Sequence, residues 1–182
     1  MQERPYDIIV WGASGFTGRI VVDYMHQEYG NGNLRWAVAG RNPAKLESVV
    51  GGRDIPVLNA DSHDDDALRQ LVQQTKVILT TVGPYARYGS KLVAACAEHG
   101  TDYCDLTGES LWMREMISAH QQTAKDSGAR IVHTCGFDSI PSDIGVLFLQ
   151  KEMQRRHGVA ARHIKYRTKS FKGGFSGGTI DS

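Results

Sequence analysis

The segment from Ile8 to Gly18 constrains this chain more than any other. Ile8-Ile9-Val10-Trp11 is apolar enough for a strand buried on both faces. It runs directly into Gly12-Ala13-Ser14-Gly15-Phe16-Thr17-Gly18, a GxxGxxG pattern, and then into a stretch to Tyr29 with apolar residues at helical spacing. Each glycine answers a physical need. Gly12 permits a sharp turn, Gly15 lets the backbone approach a pyrophosphate, and Gly18 lets the helix pack closely on the strand. The helix N-terminus offers unpaired N–H groups and partial positive charge to phosphates, and Ser14 and Thr17 add hydroxyl donors. Strand before and helix after is the context that makes such a motif a dinucleotide site. No GK[ST] follows, so it is not a P-loop.

The same alternation continues down the chain. Strands are expected over Leu34–Ala39, Ile55–Leu58, Val77–Val82, Tyr103-Cys104 and Ile131–His133. Helices are expected over Pro43–Val50, after a Ser62 cap with Asp64, Asp65 and Asp66 at the positive end, and over Lys91–His99, Leu111–Ser127 and Asp143–Arg156. The acidic triplet reads as a helix start, because adjacent helical residues do not converge on one ion. Six strands alternating with helices predict an α/β fold, a Rossmann-type doubly wound parallel sheet.

Composition removes other classes. Hydrophobic residues make up 41% of the 182, with 20 Gly and 5 Pro, which excludes disordered and collagen-like chains. Net charge is +1, so nothing global points to nucleic acid. Charge is nonetheless uneven. Residues 1–150 hold 13 Lys and Arg against 18 Asp and Glu, whereas residues 151–182 hold 8 against 2. We therefore expect a dinucleotide-binding domain over 1–145. Residues 146–182 would be a connecting helix and the first strand (Arg162–Phe171) of an incomplete α+β domain. The basic residues Arg155, Arg156, Arg162, Lys165, Arg167, Lys169 and Lys172 read either as a solvated surface or as an anion site. Cys96, Cys104 and Cys135 are odd in number and form no CxxC, which fits a reducing, cytoplasmic setting without disulfides or metal. No signal segment or spanning helix is expected.

The second strand ends Ala39-Gly40-Arg41-Asn42, where an NAD site would carry a carboxylate for the ribose 2′-hydroxyl. Arg41 suits a 2′-phosphate instead, with Lys45 one turn on; the alternative is an arginine stacked on adenine. NADP(H) is thus favoured over NAD(H). Gly40 and Asn42 belong to the same stretch. Asp61 suits an adenine amino group or is merely a neighbour of a helix cap. Val82-Gly83-Pro84-Tyr85 should lie along the nicotinamide ribose. Proton-transfer candidates are Tyr85 and Asp138, then Tyr103, Asp105, Glu109 and Asp143; Asp105, Glu109 and Asp138 follow strands at the cofactor side, and Tyr103 is equally a core residue. Tyr85 either donates a proton or packs on the nicotinamide. Asp138 is equally a cap for the helix led by Pro141, and Glu109 equally a helix start. His133 reads as a satisfied core histidine and Cys135 as a thiol without a paired base.

These pieces, together with Tyr103–Glu109, Gly136-Phe137-Asp138-Ser139-Ile140-Pro141-Ser142-Asp143 and Ser176-Gly177-Gly178-Thr179, resemble the saccharopine dehydrogenase-like oxidoreductases. The nearest branch in appearance is that of the uncharacterised saccharopine dehydrogenase-like proteins and the trans-acting enoyl reductases of lipid synthesis. The resemblance implies an NADP-binding domain followed by a substrate and dimerisation domain, and a homodimer. It implies hydride transfer to or from a carbonyl, imine or activated alkene of a small-molecule or acyl-type substrate. Two other readings stand beside it: a non-catalytic dinucleotide-binding sensor or scaffold, and a lipid-surface protein using the basic tail.

Overall fold

The computed structural model describes residues 4–170. Six strands form one all-parallel sheet: β1 (Tyr6–Trp11), β2 (Trp36–Gly40), β3 (Val57–Asn59), β4 (Thr75–Thr80), β5 (Asp102–Cys104) and β6 (Ile131–Val132). Seven helices connect and follow them: α1 (Phe16–Tyr29), α2 (Pro43–Val50), α3 (Asp65–Gln73), α4 (Tyr85–Tyr88), α5 (Ser90–His99), α6 (Ser110–Ser127) and α7 (Ile140–His157). Strand order is 3-2-1-4-5-6. The chain builds outward from β1 to β3, then restarts beside β1 with β4, which opens a crevice above the carboxyl ends of β1 and β4.

Both faces of the sheet are covered, which is why its central strands read as apolar runs. Along β1, Ile9 and Trp11 enter the core shared with α3, α5 and α6. Val10, between them, enters the core shared with α1 and α2. β2 divides likewise, with Ala37 and Ala39 on one face and Trp36 and Val38 on the other. Its small residues let helices approach the sheet. On α2, Leu46 and Val50 are buried one turn apart, and each such side chain stabilises the fold by about 1.5–3 kcal/mol.

Several expectations change. Asp64, not Ser62, caps α3, its carboxylate accepting from the amides of Asp66 and Ala67 at 3.0 Å. Both residue types cap well. β4 starts at Thr75 and ends at Thr80, releasing Thr81 and Val82 into the crevice loop. β6 ends at Val132, so His133 lies just past the strand.

Residues 162–170 form no strand, because no described strand lies alongside to take up their backbone hydrogen bonds. Phe171, Lys172 and the Ser176–Thr179 motif fall outside the described residues. α7 runs unbroken through residue 145, buries none of its side chains, and leaves Ile144, Leu147 and Phe148 exposed. Arg155 and Arg156 both pair with Glu152 at 2.8 Å, so these two charges are partly answered within the helix.

Candidate cofactor cleft

The turn after β1 is held on both sides. Gly12 N donates to Ala39 O at 2.9 Å, and Thr81 N donates to Trp11 O at 3.0 Å. Gly12 has φ of +87°, and a Cβ there would stand 2.4 Å from Val82 Cγ2. A Cβ on Gly18 would stand 2.2 Å from Gly12 O. The first and third glycines are therefore demanded by the closeness of loop to loop and helix to turn. What the missing side chains leave is a cradle of backbone at the start of α1.

That cradle is the floor of a cleft of about 700 Å³. Gly12, Ser14 and Gly15 form the floor, Gly40 and Arg41 one bank, and Val82, Gly83 and Pro84 the other. These eight are residues the sequence nominated. Six other nominees do not line it. Phe16 points to solvent, 72% exposed. Thr17 is half-buried in the first turn of α1, and Gly18 acts through packing. Asn42 caps α2 by accepting from Lys45 N at 3.0 Å. Asp61 shapes its own turn, accepting from His63 N at 2.9 Å with the His63 ring at 3.0 Å. Those bonds, and the charge of Arg41, hold its carboxyl below the ordinary range.

Tyr85 is the clearest correction. It is 3% exposed. Its hydroxyl donates to Thr80 O at 3.3 Å and accepts from Leu106 N at 3.4 Å, and its ring lies 5.6 Å from that of Trp112. Burial pushes the phenol far above its ordinary pKa. It is a core tyrosine supporting the loop rather than a group facing a ligand. Asp138 is exposed in an open hollow after β6, beside Ser139, Ser142 and Asp143, and does not cap α7.

The cleft also takes residues that the sequence did not assign to it: Trp11, Ser62, Thr81, Arg87 and Tyr88. Arg87 sits three residues beyond Pro84, a spacing that returns it to the same side of the chain once Tyr85–Tyr88 is helical. That was the available signal.

A partly buried polar frame supports the loop after Pro84. Glu109 precedes α6, as expected, but its carboxylate reaches across to the amides of Tyr85 (2.7 Å) and Ala86 (2.8 Å), fixing the loop immediately after Pro84. Asp105, 3% exposed, accepts from four donors. Oδ2 takes Tyr103 OH at 2.9 Å and faces His133 Nδ1 at 2.6 Å; Oδ1 takes the amides of Thr107 (3.1 Å) and Thr134 (2.9 Å). A carboxylate only accepts, so Nδ1 of His133 carries the proton. His133 is satisfied on that side only: Nε2 is buried without a hydrogen-bond partner and its ring meets Trp112 edge-on at 5.2 Å. Thr134, a β-branched residue, is held at φ of +59° by these bonds. Cys135 is exposed, with no histidine or carboxylate bonded to its sulfur.

Residues 8–132 match the saccharopine dehydrogenase NADP binding domain. A Mycobacterium tuberculosis protein, named provisionally as a trans-acting enoyl reductase, is 43% identical over 98% of this chain and 43% of its own length. The trans-acting enoyl reductase of Mycobacterium ulcerans is 46% identical over 82% of this chain and 36% of its own. The chain thus spans less than half the length of these relatives. Among solved structures, apo saccharopine dehydrogenase (L-Glu forming) from Saccharomyces cerevisiae superposes with a TM-score of 0.66 at 21% identity. That match covers 84% of this chain and 32% of that one, and it shows the shared fold. The match over most of the strands and helices of the sheet, and over the cleft they carry, makes this chain a member of the saccharopine dehydrogenase NADP-binding domain family.

Proposed function

We propose that the cleft binds NADP(H) and that the protein is an oxidoreductase. Its reaction would move hydride to or from a carbonyl, an imine or the activated alkene of an acyl-type substrate. The observation that carries the cofactor reading is Arg41 at the end of β2, in a cleft with no carboxylate among its described lining residues. An acidic residue there would repel a 2′-phosphate; a guanidinium pairs with it. The glycine cradle and the α1 N-terminus fit a pyrophosphate. When bound, the dinucleotide supplies the hydride, and the protein positions it and excludes water. Asp138, exposed past β6 beside Asp143, is the carboxyl group we assign to proton transfer.

The names of the relatives support the alkene within this set of acceptors. Nothing favours a non-catalytic sensor. We extend the reading to a reducing, cytoplasmic protein on its three free cysteines, and to a homodimer on family resemblance. No described helix is long and apolar enough to cross a membrane.

Calorimetric titration with NADPH and NADH tests the cofactor reading. NADPH should bind at least about tenfold tighter, roughly 1.4 kcal/mol, and Arg41→Ala should erase the preference. Equal binding of the two dinucleotides by the wild type overturns it.

A further inference from the structure

Arg87 is the second unspent cation of the cleft. The cleft lies over β1, between a bank following β2 and a bank following β4, with Ser62 from the β3–α3 connection reaching the same space. Arg41 stands on the first bank and Arg87 on the second. No described carboxylate lies within 4.0 Å of either guanidinium, and none of the described lining residues is acidic. Nearby Lys91, by contrast, is committed to Asp65 at 2.8 Å and to His63 O at 3.0 Å.

Most of the backbone of the second bank is already engaged: Val82 N donates to Thr80 Oγ1 at 3.2 Å, and Pro84 has no N–H. The first amides of α4, those of Tyr85 and Ala86, already donate to Glu109. The charged side chain that this bank offers an anion, among the described lining residues, is Arg87.

The packing of Arg87 also says which anion. Its guanidinium carbon is 5.2 Å from the centroid of the Tyr88 ring. Tyr88 in turn meets His63 edge-on at 5.7 Å, and His63 is bound to Asp61. Arg87 is thereby moored toward the connection after β3, the side of the cleft shared with Arg41 and Ser62. In this sheet order that is the adenosine half of a bound dinucleotide. A phosphate monoester carries about −1.5 to −2 charges at pH 7, more than one guanidinium neutralises.

The geometry points to Arg87 as a specificity-determining residue that closes on the adenosine 2′-phosphate from the bank opposite Arg41, an inference that rests on the NADP(H) reading. The two arginines form a clamp whose halves come from different strands, 46 residues apart in sequence.

Adenosine 2′,5′-bisphosphate and 5′-AMP isolate this half of the cofactor. Both are titrated calorimetrically into the whole chain, as wild type, Arg87→Ala and Arg87→Lys. Arg87 is exposed, so neither change should disturb folding, and matching thermal melts verify this. Arg87→Ala should weaken the bisphosphate at least about tenfold while moving 5′-AMP less than about twofold. Arg87→Lys, which keeps charge but loses the fork, should fall between. Unchanged bisphosphate binding by Arg87→Ala overturns the inference. So does an equal loss for both nucleotides, which would put Arg87 on the adenine or the 5′-phosphate. The two readings fail separately: a wild type that does not prefer the bisphosphate removes the NADP(H) reading and this clamp with it, whereas a preference that survives Arg87→Ala removes the clamp alone.

Discussion

Replacing Asp105 by Ala and by Asn separates a buried scaffold from a merely tolerated polar cluster. The alanine variant removes an acceptor from four donors at once: Tyr103 OH, His133 Nδ1–H, Thr107 N and Thr134 N. A buried donor left unpaired costs about 1–3 kcal/mol, so four would sum to more than most domains can lose. Water entering the vacated volume recovers part of it. Breaking one partner out of a buried charged network costs about 3–5 kcal/mol, which is the magnitude expected here. For a domain of this size that is a fall of about 6–20 °C in Tm.

Asparagine should cost far less, for a structural reason. Its carbonyl oxygen can keep the amides of Thr107 and Thr134, which cannot reverse polarity. Its NH2 then faces Tyr103 OH, which can rotate to accept, and His133, which can move its proton to the unpartnered Nε2. A loss of about 1–2 kcal/mol is expected. Urea unfolding followed by tryptophan fluorescence reads both, since Trp112 packs against His133. An alanine variant within about 1 kcal/mol of wild type would refute the scaffold reasoning. Asn as costly as Ala would refute the proton relocation.

Gly18→Ala should cost at least about 1–3 kcal/mol and abolish NADPH binding. The new Cβ meets backbone, 2.2 Å from Gly12 O and 2.8 Å from Ala13 Cα, which cannot step aside. Gly108→Ala, with nothing within 4 Å, is the control and should change stability by less than about 0.5 kcal/mol; thermal melts and NADPH titration compare the two. Stability should also fall on the alkaline side. Burial, more than the neighbouring Cys135 and Asp105, pushes the Cys104 thiol up to about 11. An unfolded thiol ionises near about 8.5, so the native state resists an ionisation the unfolded state accepts. The contribution is intact below about pH 8.5 and is lost as pH rises toward about 11. Urea unfolding from pH 7 to 10.5 should show the decline, shallower in Cys104→Ser; a flat profile in the wild type rules it out.

What could be read from the residues divides by the range over which they act. α2 was legible to the residue because Pro43 is a local signal for its opening; the structure adds two more local ones, the Asn42 cap and Gly51 in a left-handed turn at φ of +60°. The floor of the cleft was legible for the same reason, since the turn, its glycines and the following helix are consecutive. The failures are pairings across the sheet. Glu109 does stand at a helix start, but its second role was hidden until β4 and β5 became neighbours, which lays its carboxylate against amides 24 and 23 residues earlier. Asp105 and His133 are 28 residues apart and meet because β5 and β6 are adjacent. Tyr85 was misread by the opposite route. Its position after β4 is the right one for a ligand contact, but the side chain turns under the loop, toward Thr80 O and Trp112, while its neighbour Pro84 faces the cleft. Position along a strand places a residue at the cofactor edge; the strand beside it decides whether the side chain meets the ligand or holds the loop that does.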